Sequence, residues 1–245
     1  GVDVAFETSV TNVQFNGTDS VITVEDKGGN ESEIEAKFVI DSSGYGRVLP
    51  RLLDLEMPSD LDPRSSLFVH VDDINRPEGE EGWTITFDVL EKQVWFWVIP
   101  FSNGKTSLGF VAEPGYFEKG GTKEELFDEL LKNSSYYYER FKDAPKLFEP
   151  KLITAFSVGV KQLYGNGYAL TGNSTEFLDP VFSSGVTFAT ESGLKAAKLA
   201  ARQLKGESVD WETEYTEYIM QGVETFKTYV KTWYSGDLQD IFFVE

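Results

Sequence analysis

The stretch FLDPVFSSGVTFATESGLKAAKLAARQL, from Phe177 to Leu204, passes from a tight turn into an amphipathic helix. Asp179-Pro180 predicts the turn, and the apolar residues that follow Ser-Ser-Gly recur at helical spacing. Gly206 stands where a glycine commonly ends a helix. A helix that begins on small residues leaves backbone N–H groups free, and its positive end attracts anionic or electron-rich groups. We therefore expect a ligand at the start of this helix.

The composition excludes several kinds of chemistry. The chain has 245 residues and no cysteine, which removes disulfides, thiolate nucleophiles, Cys-ligated zinc and iron–sulfur clusters. His70 is the single histidine, so a His-rich metal site is excluded and we expect no metal. Asp and Glu total 41 against 22 Lys and Arg, a formal net charge of −19. Because that charge repels a phosphate backbone, nucleic acid is not an expected partner.

The sequence predicts neither a membrane-spanning helix nor a signal peptide. No apolar stretch approaches the roughly 20 residues of a membrane-spanning helix, and GVDVAFETSV lacks the basic and apolar regions of a signal peptide. We predict a folded protein of the cytoplasm. The sequence begins without Met in strand-like alternation (Val2, Val4, Phe6) and ends on DIFFVE, which suggests a fragment of something longer.

Strand and helix signals interleave along the chain. The first 40 residues predict a β-meander whose third strand, SEIEAKFVI, ends in an apolar run typical of a strand buried on both faces. Further strands are predicted at SSLFVHVDD, GWTITFDVL, QVWFWVIPF and TSLGFVA, followed by a helix with Thr122 as N-cap. Strand character returns after Pro150, and aromatic-rich amphipathic helices follow Gly206. This interleaving predicts one mixed α/β body made of two interwoven subdomains.

A glycine pair follows the predicted third strand. FVIDSSGYGRVL places Gly44-x-Gly46 after a strand, the context of a dinucleotide-binding fingerprint. Leu49 stands where the third glycine of that fingerprint would be, so an independent Rossmann site is not favoured. We expect the short segment with Asp41 and Gly44 to approach a dinucleotide whose main binding site lies elsewhere.

Two features of the strands leave alternatives open. Trp95 and Trp97 lie on one face of a strand and Phe96 on the other, which by composition indicates a sheet packed on both sides. His70 alternates with Phe68 in FVHVDD. It is either a hydrogen-bonded strand residue, the commoner case, or an acid/base group facing a substrate.

Three segments taken together resemble flavin-dependent halogenases of the FAD-dependent monooxygenase superfamily. FVIDSSGYGR resembles the D-x-S-G segment of flavoprotein monooxygenases, and ALTGNSTEFLDPVFSSGV resembles their second FAD motif. WFWVIP, Trp95 to Pro100, matches the W-x-W-x-I-P signature of the halogenases. The resemblance covers nearly the whole chain. The DPVFSSGV form is similar to the branch that acts on phenolic or pyrrolic substrates; the tryptophan-halogenase branch would have Glu in place of Phe182.

The resemblance implies a mixed α+β chain made of two interwoven subdomains of a para-hydroxybenzoate-hydroxylase-like FAD fold, with an antiparallel sheet on the substrate side. It assigns 1–60 and 151–206 to the FAD-binding domain, 61–150 to a substrate-binding sheet and helix, and 207–245 to C-terminal helices. The implied cofactor is FAD, and the matched cofactor-binding positions are Asp41, Gly44, Gly172, Asn173, Asp179, Pro180, Gly185 and Val186.

The resemblance also implies what surrounds the flavin. Chloride would be held at Ser184 and Gly185, while Trp95 and Trp97 would line the barrier between flavin and substrate. The implied partners are a small aromatic substrate and a separate flavin reductase.

Two departures from the family pattern bear on activity. Gly172-Asn173 replaces the family's Gly-Asp pair, which keeps an acceptor oxygen but loses a charge. The N-terminal βαβ unit with G-x-G-x-x-G and the region of the family's catalytic lysine are absent from this sequence, so we assign no catalytic residue. The leading hypothesis is an FAD-dependent oxidoreductase resembling halogenases. The alternatives are a flavin-dependent hydroxylase or reductase, a non-catalytic binding module that has lost flavin, and a scaffold that associates through its aromatic C-terminal helices.

Overall fold

The computed structural model describes residues 1–17, 19–118 and 120–242. The last residues of the predicted range 207–245, residues 243–245, lie outside the described residues. The strands are β1 (Thr8–Asn16), β2 (Asp19–Asp26), β3 (Glu31–Ala36), β4 (Val39–Asp41), β5 (Glu56–Pro58), β6 (Ser65–Asp72), β7 (Thr86–Glu91), β8 (Val94–Pro100), β9 (Lys105–Ala112), β10 (Lys151–Ile153), β11 (Val158–Val160), β12 (Tyr164–Gly165) and β13 (Tyr168–Leu170). The helices are α1 (Val48–Leu52), α2 (Glu80–Trp83), α3 (Lys123–Asn133), α4 (Tyr138–Phe141), α5 (Ser184–Leu204), α6 (Tyr218–Ser235) and α7 (Asp237–Phe242).

The chain divides into two compact units. The first combines Gly1–Asp60 with Ser157–Val230, and the second combines Leu61–Phe156 with the segment that starts at Lys231. The mixed α/β class predicted from the sequence is confirmed. The four ranges that the resemblance assigned stay predictions.

The first unit begins with the predicted β-meander, β1-β2-β3, all antiparallel. The turn between β2 and β3 is fixed by Asp26, whose Oδ1 accepts the N–H groups of Gly28 (2.7 Å) and Asn30 (2.9 Å). A second sheet has the order β12-β13-β4, with β13 parallel to β4, and β11 pairs with β5.

Three strand predictions are wrong in detail. The third predicted strand divides into β3 and β4, and Ile40 is 37% exposed because β4 lies at the edge of its sheet among the described strands. The alternation of Val2, Val4 and Phe6 forms no strand within the described chain; these side chains are exposed and β1 begins at Thr8. The start of GWTITFDVL belongs to α2, and the strand itself begins at Thr86.

The second unit is built on an antiparallel sheet of order β10-β6-β9-β8-β7. The central strands β6, β9 and β8 bury one face beneath α3, where the rings of Phe96 and Phe110 stack with a centroid distance of 4.5 Å. The helix starts as predicted at Thr122, which forms a capping box with Glu125. The residues of β6, β8, β9 and α3 that make this core include Leu67, Val69, Phe96, Val98, Leu108, Phe110, Leu126, Phe127, Leu130 and Leu131.

The helix predicted from the opening stretch is confirmed as α5. Its buried stripe includes Ala196 and Leu199, and Gly206 follows its end with φ of 84°, a conformation that suits glycine. A π-helical turn, Glu212–Glu217, leads into α6, and the hydroxyl of its Tyr215 donates to the carbonyl of Leu170 at 2.5 Å. This bond ties the start of the C-terminal helices to the end of β13.

Candidate functional site

Three segments of the first unit meet around one pocket of about 420 Å³. They are the loop after β4, the turn after β13 and the first two turns of α5. The lining residues are Ser42, Gly44, Thr171, Gly172, Asn173, Phe177, Gly185, Val186 and Ala189. Of the predicted cofactor-binding residues, the structure thus brings together Gly44, Gly172, Asn173, Gly185 and Val186.

The start of α5 opens into this pocket. Ser183, the residue before the helix, has a left-handed conformation (φ 51°, ψ 29°), and its side chain makes no capping hydrogen bond. The N–H groups of a first helical turn have no partner within the helix. Gly185 lies on the pocket wall, and Val186 beside it is 76% exposed. The pocket therefore presents backbone donors at the positive end of a helix of 21 residues.

Asp41 supports the pocket from beneath. Its side chain is buried, and its Oδ1 accepts bonds from the N–H of Ser43 (2.7 Å) and the hydroxyl of Ser174 (3.0 Å). Its Oδ2 accepts the N–H of Leu49 at 2.7 Å. The carboxylate is thus used within the protein, where it joins the loop after β4 to the turn after β13.

Asp179 and Pro180 also lie outside the pocket lining. Asp179 is buried and its Oδ1 accepts the N–H of Val181 at 2.9 Å, which caps the short 3₁₀ turn Pro180–Phe182. Pro180 occupies the first position of that turn, where its missing N–H is not needed. The pair fixes the direction in which the chain enters α5.

The backbone of Gly172 lies very close to α5. Its φ is 55°, and a Cβ at this position would lie 3.1 Å from the Cβ of Ala189 on α5. Its N–H donates to Ser192 Oγ on the same helix at 2.9 Å. The turn that carries Asn173 is therefore held directly against α5.

Sequence reasoning missed Arg47, which lies behind the pocket and is 3% exposed. Its guanidinium donates to the carbonyls of Asn173 (3.0 Å) and Gly159 (2.7 Å), among others, and pairs with Glu56 at 3.0 Å. Its position immediately after Gly44-x-Gly46 was a signal that could have identified it. A planar guanidinium with five donors suits a site where several carbonyls converge.

Trp95 and Trp97 lie in the second unit, on the face of β8 opposite Phe96, with their rings 6.0 Å apart. Trp97 Nε1 donates to Ser107 Oγ at 3.1 Å, and Trp95 Nε1 donates to the hydroxyl of Tyr234 at 3.0 Å. The indole of Trp97 lies flat across Gly109, where a Cβ would come within 2.2 Å of the ring. Both indoles are thereby fixed in orientation.

His70 is half-buried on the same face of the sheet. Its ring packs edge-on against Phe101 and Phe148, each with a centroid distance of 5.1 Å. Burial, with Lys105 and Lys151 nearby, lowers the pKa of this imidazole. A neutral histidine packed within an aromatic layer results, and an acid/base role for it stays a prediction.

The described residues form neither a metal-ion cluster nor a membrane-spanning helix. No group of three or more His, Asp or Glu side chains there is arranged to hold a metal ion. No helix in the part of the chain that the structure describes has the length and apolar character needed to cross a membrane. The cytoplasmic location stays a prediction.

The strand-end aspartate, the glycine turns and the uncapped helix start around one pocket are features of a dinucleotide-binding α/β protein. Residues 1–241 match the family model described as tryptophan halogenase. The chain therefore belongs to the tryptophan halogenase family.

Several known proteins are similar to this chain. A 1H-pyrrole-2-carbonyl-[peptidyl-carrier protein] chlorinase of Pseudomonas fluorescens is 25% identical over 96% of the chain and 54% of the relative. A tryptophan 2-halogenase of Chondromyces crocatus is 30% identical over 91% of the chain and 44% of the relative. The crystal structure of a flavoprotein/dehydrogenase from Cytophaga hutchinsonii has a TM-score of 0.96 and 52% identity, covering all of the chain and 60% of that protein.

The structure of the flavin-dependent brominase Bmp2 is similar to this chain in fold. The TM-score is 0.82 at 24% identity, and the match covers 92% of the chain and 58% of that protein. The chain spans about half the length of the curated relatives named here.

The pocket suits a flat group with an electron-rich polar edge, such as a flavin ring. Gly44 has φ of 59° and open space where a Cβ would stand, and a Cβ on Gly185 would lie 3.7 Å from Phe177. Side chains at these two positions would occupy the cradle that backbone groups now form. Backbone N–H donors, the Asn173 amide and the hydroxyl oxygens of Ser42 and Thr171 match the polar edge and hydroxylated chain of a flavin.

Proposed function

We propose that this protein is an FAD-dependent oxidoreductase of the halogenase type, acting on a small aromatic substrate. The observation that carries the proposal is that two separate sequence segments resembling FAD motifs converge on one pocket at the start of α5. The family match over residues 1–241 supports the same assignment.

Backbone groups at the start of α5 would orient the flavin. The N–H groups of Gly185 and Val186 would donate to the polar edge of the isoalloxazine, and the positive helix end would favour the anionic charge that reduction places there. When bound, FAD supplies the redox chemistry with oxygen that the protein's own side chains lack. The protein's contribution is to position the ring and exclude water.

Polar side chains on the opposite wall would hold the ribityl chain. Asn173 offers an amide oxygen as acceptor where the family pattern has a carboxylate. Ser42 Oγ and Thr171 Oγ1 lie 2.7 Å apart, and Thr171 donates to the carbonyl of Asp41 at 3.0 Å. Because Thr171 uses its proton on Asp41, the hydroxyl of Ser42 donates to Thr171, and its oxygen lone pairs are left to accept from a ligand in the pocket that Ser42 lines.

The halide would bind beside the flavin at Ser184 and Gly185. Ser184 is 5% exposed at the helix start, where an anion is stabilised by the helix dipole. Trp95 and Trp97 would form an aromatic barrier between flavin and substrate and so disfavour direct oxygen transfer. No catalytic residue is assigned within this chain.

The proposed substrate is a phenolic or pyrrolic ring, and a separate flavin reductase would supply electrons. The relative of Pseudomonas fluorescens is named for a pyrrole carried on a peptidyl carrier protein. A net charge of −19 disfavours a strongly acidic carrier for this chain, so we propose a free small molecule.

Product analysis tests the proposal. The protein would be incubated with FAD, a flavin reductase, and phenol or pyrrole substrates in buffers containing chloride, bromide or neither. The expected result is a halogenated ring that forms only when halide is present. Failure to form a product with any halide while FAD binds would overturn the halogenase assignment.

A second candidate is a flavin-dependent hydroxylase or reductase of the same superfamily. The 52% identical protein of known structure is named a dehydrogenase, and this favours chemistry without halide. Equal amounts of oxygenated or reduced product with and without halide would support it. Absence of bound flavin in every buffer would instead support a non-catalytic binding module.

A further inference from the structure

Glu176 carries a buried carboxylate that the proposed chemistry does not use. The residue lies two positions after the turn Gly172–Ser174, which holds Asn173, and it is 6% exposed. Its Oε2 has no hydrogen-bond partner in the described part of the chain. A buried, incompletely satisfied charge is costly, so its presence needs a reason.

Charged groups from several elements face this carboxylate. Lys227 on α6 places Nζ 3.9 Å from Glu176 Oε2 and is itself buried. The same ammonium pairs with Asp60 at 2.9 Å and with Glu224 at 3.3 Å. From the other side Arg47, paired with Glu56, contributes a second positive charge, and the backbone of Val160 on β11 adds a hydrogen bond.

The position of Glu176 depends on a glycine. Its Oε1 would lie 2.8 Å from a Cβ on Gly159, so a larger residue at this place in β11 would force the carboxylate to shift. The guanidinium of Arg47 contacts the carbonyl of the same glycine at 2.7 Å. The carboxylate is therefore enclosed between β11 and α6.

Both neighbours of Glu176 belong to the pocket or its support. Thr175 Oγ1 donates to the carbonyl of Gly172 at 2.7 Å, and the carbonyl of Thr175 accepts from Arg47 at 3.3 Å. Phe177 lines the pocket and exchanges two backbone hydrogen bonds of 3.1 Å with Val158. A displacement of Glu176 would therefore move both the Asn173 turn and the Phe177 wall.

The protonation state of Glu176 changes in an accessible range of pH. Burial raises its pKa to about 6, even though Lys227, the Val160 backbone and Arg47 favour the ionised form, and Asp60 adds to the increase. The carboxylate is ionised at neutral pH and becomes protonated in mild acid.

We propose that Glu176 and Lys227 are positioning residues for the pocket: their ion pair holds segment 172–177 against α6, and protonation of Glu176 releases this restraint. The consequence for flavin rests on the proposed function. FAD should bind more tightly when Glu176 is ionised, because the pocket then has its binding geometry before the ligand arrives.

The experiment compares the protein with Glu176→Gln, Lys227→Met and the double variant, with the exposed Glu33→Gln as control. FAD dissociation constants are measured by flavin fluorescence from about pH 5 to about pH 8. The dissociation constant of the unaltered protein and of E33Q should rise about fivefold as the pH falls through about 6, a typical size for a coupling between sites. E176Q should bind weakly at every pH, and K227M should shift the midpoint upward because Glu176 then loses its partner.

A second readout does not require flavin. Thermal unfolding of the flavin-free protein is recorded over the same pH range. A carboxyl group whose pKa is raised on folding destabilises the folded state once it ionises, so E176Q should gain stability relative to the unaltered protein as the pH rises through about 6. Stability and flavin affinity should therefore change in opposite directions with pH, which a merely structural role would not produce.

The outcomes separate this proposal from the proposed function. A pH profile of flavin affinity that E176Q retains unchanged would overturn the positioning role. If FAD binds at no pH, the proposed function fails, and the unfolding profile still decides whether Glu176 and Lys227 are coupled. Identical unfolding profiles for the unaltered protein, E176Q and K227M would overturn the coupling.

Discussion

Arg47 Nη1 donates a hydrogen bond of 3.0 Å to the carbonyl oxygen of Asn173. The two residues are far apart in sequence and belong to the two loops that line the pocket. Because the guanidinium also binds Gly159 and Glu56, one buried side chain joins the loop after β4, the turn after β13 and the β5–β11 pair. The shape of the pocket depends on this residue although it does not line the cavity.

Replacing Arg47 with Met should destabilise the first unit strongly. The variant leaves several buried carbonyls without donors and should lower the free energy of unfolding by about 3–5 kcal/mol. Urea unfolding measures this change. The control is Arg51→Met. The Arg51 side chain is 62% exposed, and its Nε makes a weaker contact of 3.6 Å with Glu56 Oε1. This substitution should change the free energy of unfolding by no more than about 0.5 kcal/mol. Equal effects of the two substitutions would contradict the account.

Replacing Gly172 with Ala should damage the pocket. The new Cβ would stand 3.1 Å from the Cβ of Ala189, and φ of 55° is strained for alanine. We expect a loss of about 1–3 kcal/mol in the free energy of unfolding and weaker flavin binding. The control is Gly193→Ala on α5, the helix that carries Ala189. A Cβ at Gly193 has nothing within 4 Å, so this substitution should stabilise α5 by about 1 kcal/mol. A neutral Gly172→Ala variant would show that the close approach is not needed.

Replacing Gly109 with Ala should displace the indole of Trp97. A Cβ at 2.2 Å from the ring cannot be accommodated without movement, and the hydrogen bond to Ser107 should be lost. Near-ultraviolet circular dichroism and tryptophan fluorescence should change, with a loss of about 1–3 kcal/mol in unfolding free energy. Gly115→Ala, where nothing lies within 4 Å, is the control. Unchanged spectra in Gly109→Ala would refute this packing.

Asp73 makes the second unit sensitive to acid. Its fully buried carboxylate pairs with Arg140 at 2.6 Å and accepts the hydroxyl of Thr106 at 2.6 Å. Burial raises the pKa of Asp73, but the bonds from Arg140, Thr106 and Arg76 outweigh it and hold the pKa below its ordinary value of 3.8. A carboxyl group whose pKa is lower in the folded state stabilises the fold at pH values above its pKa in the unfolded chain. This stabilisation is lost as the pH falls through its pKa in the folded state.

Asp73→Asn should therefore lower the free energy of unfolding by about 3–5 kcal/mol at neutral pH. The difference from the unaltered protein should shrink below about pH 4. Denaturant unfolding at several pH values measures it, with the exposed Asp62→Asn as control. A difference that does not change with pH would contradict the assignment of the ion pairs.

The sequence predicted the elements whose signals are local. The helix from Ser184, its glycine end at Gly206 and the capping box at Thr122 each depend on a few neighbouring residues, and each was found. The convergence of Gly44, Asn173 and Gly185 followed from the family resemblance rather than from any pattern in the chain. Their roles toward flavin stay predictions.

The residues that were missed act through distant partners. Arg47, Glu176 and Gly109 are ordinary residues in sequence, and their importance arises only when buried carbonyls, an ammonium group or an indole are brought beside them. The apolar run that ends at Ile40 was misread because an apolar run does not reveal how many neighbours a strand has. Position within a sheet is a property of the whole fold.

Hydrogen exchange with and without FAD shows which segments of the chain contact the flavin. We expect slower exchange, on adding FAD, for the backbone amides of residues 42–44, 171–173 and 185–189, with no change in α3 as internal control. Binding of FAD with unchanged exchange in these three segments, or with protection confined to other parts of the chain, would contradict the assignment of the pocket at the start of α5.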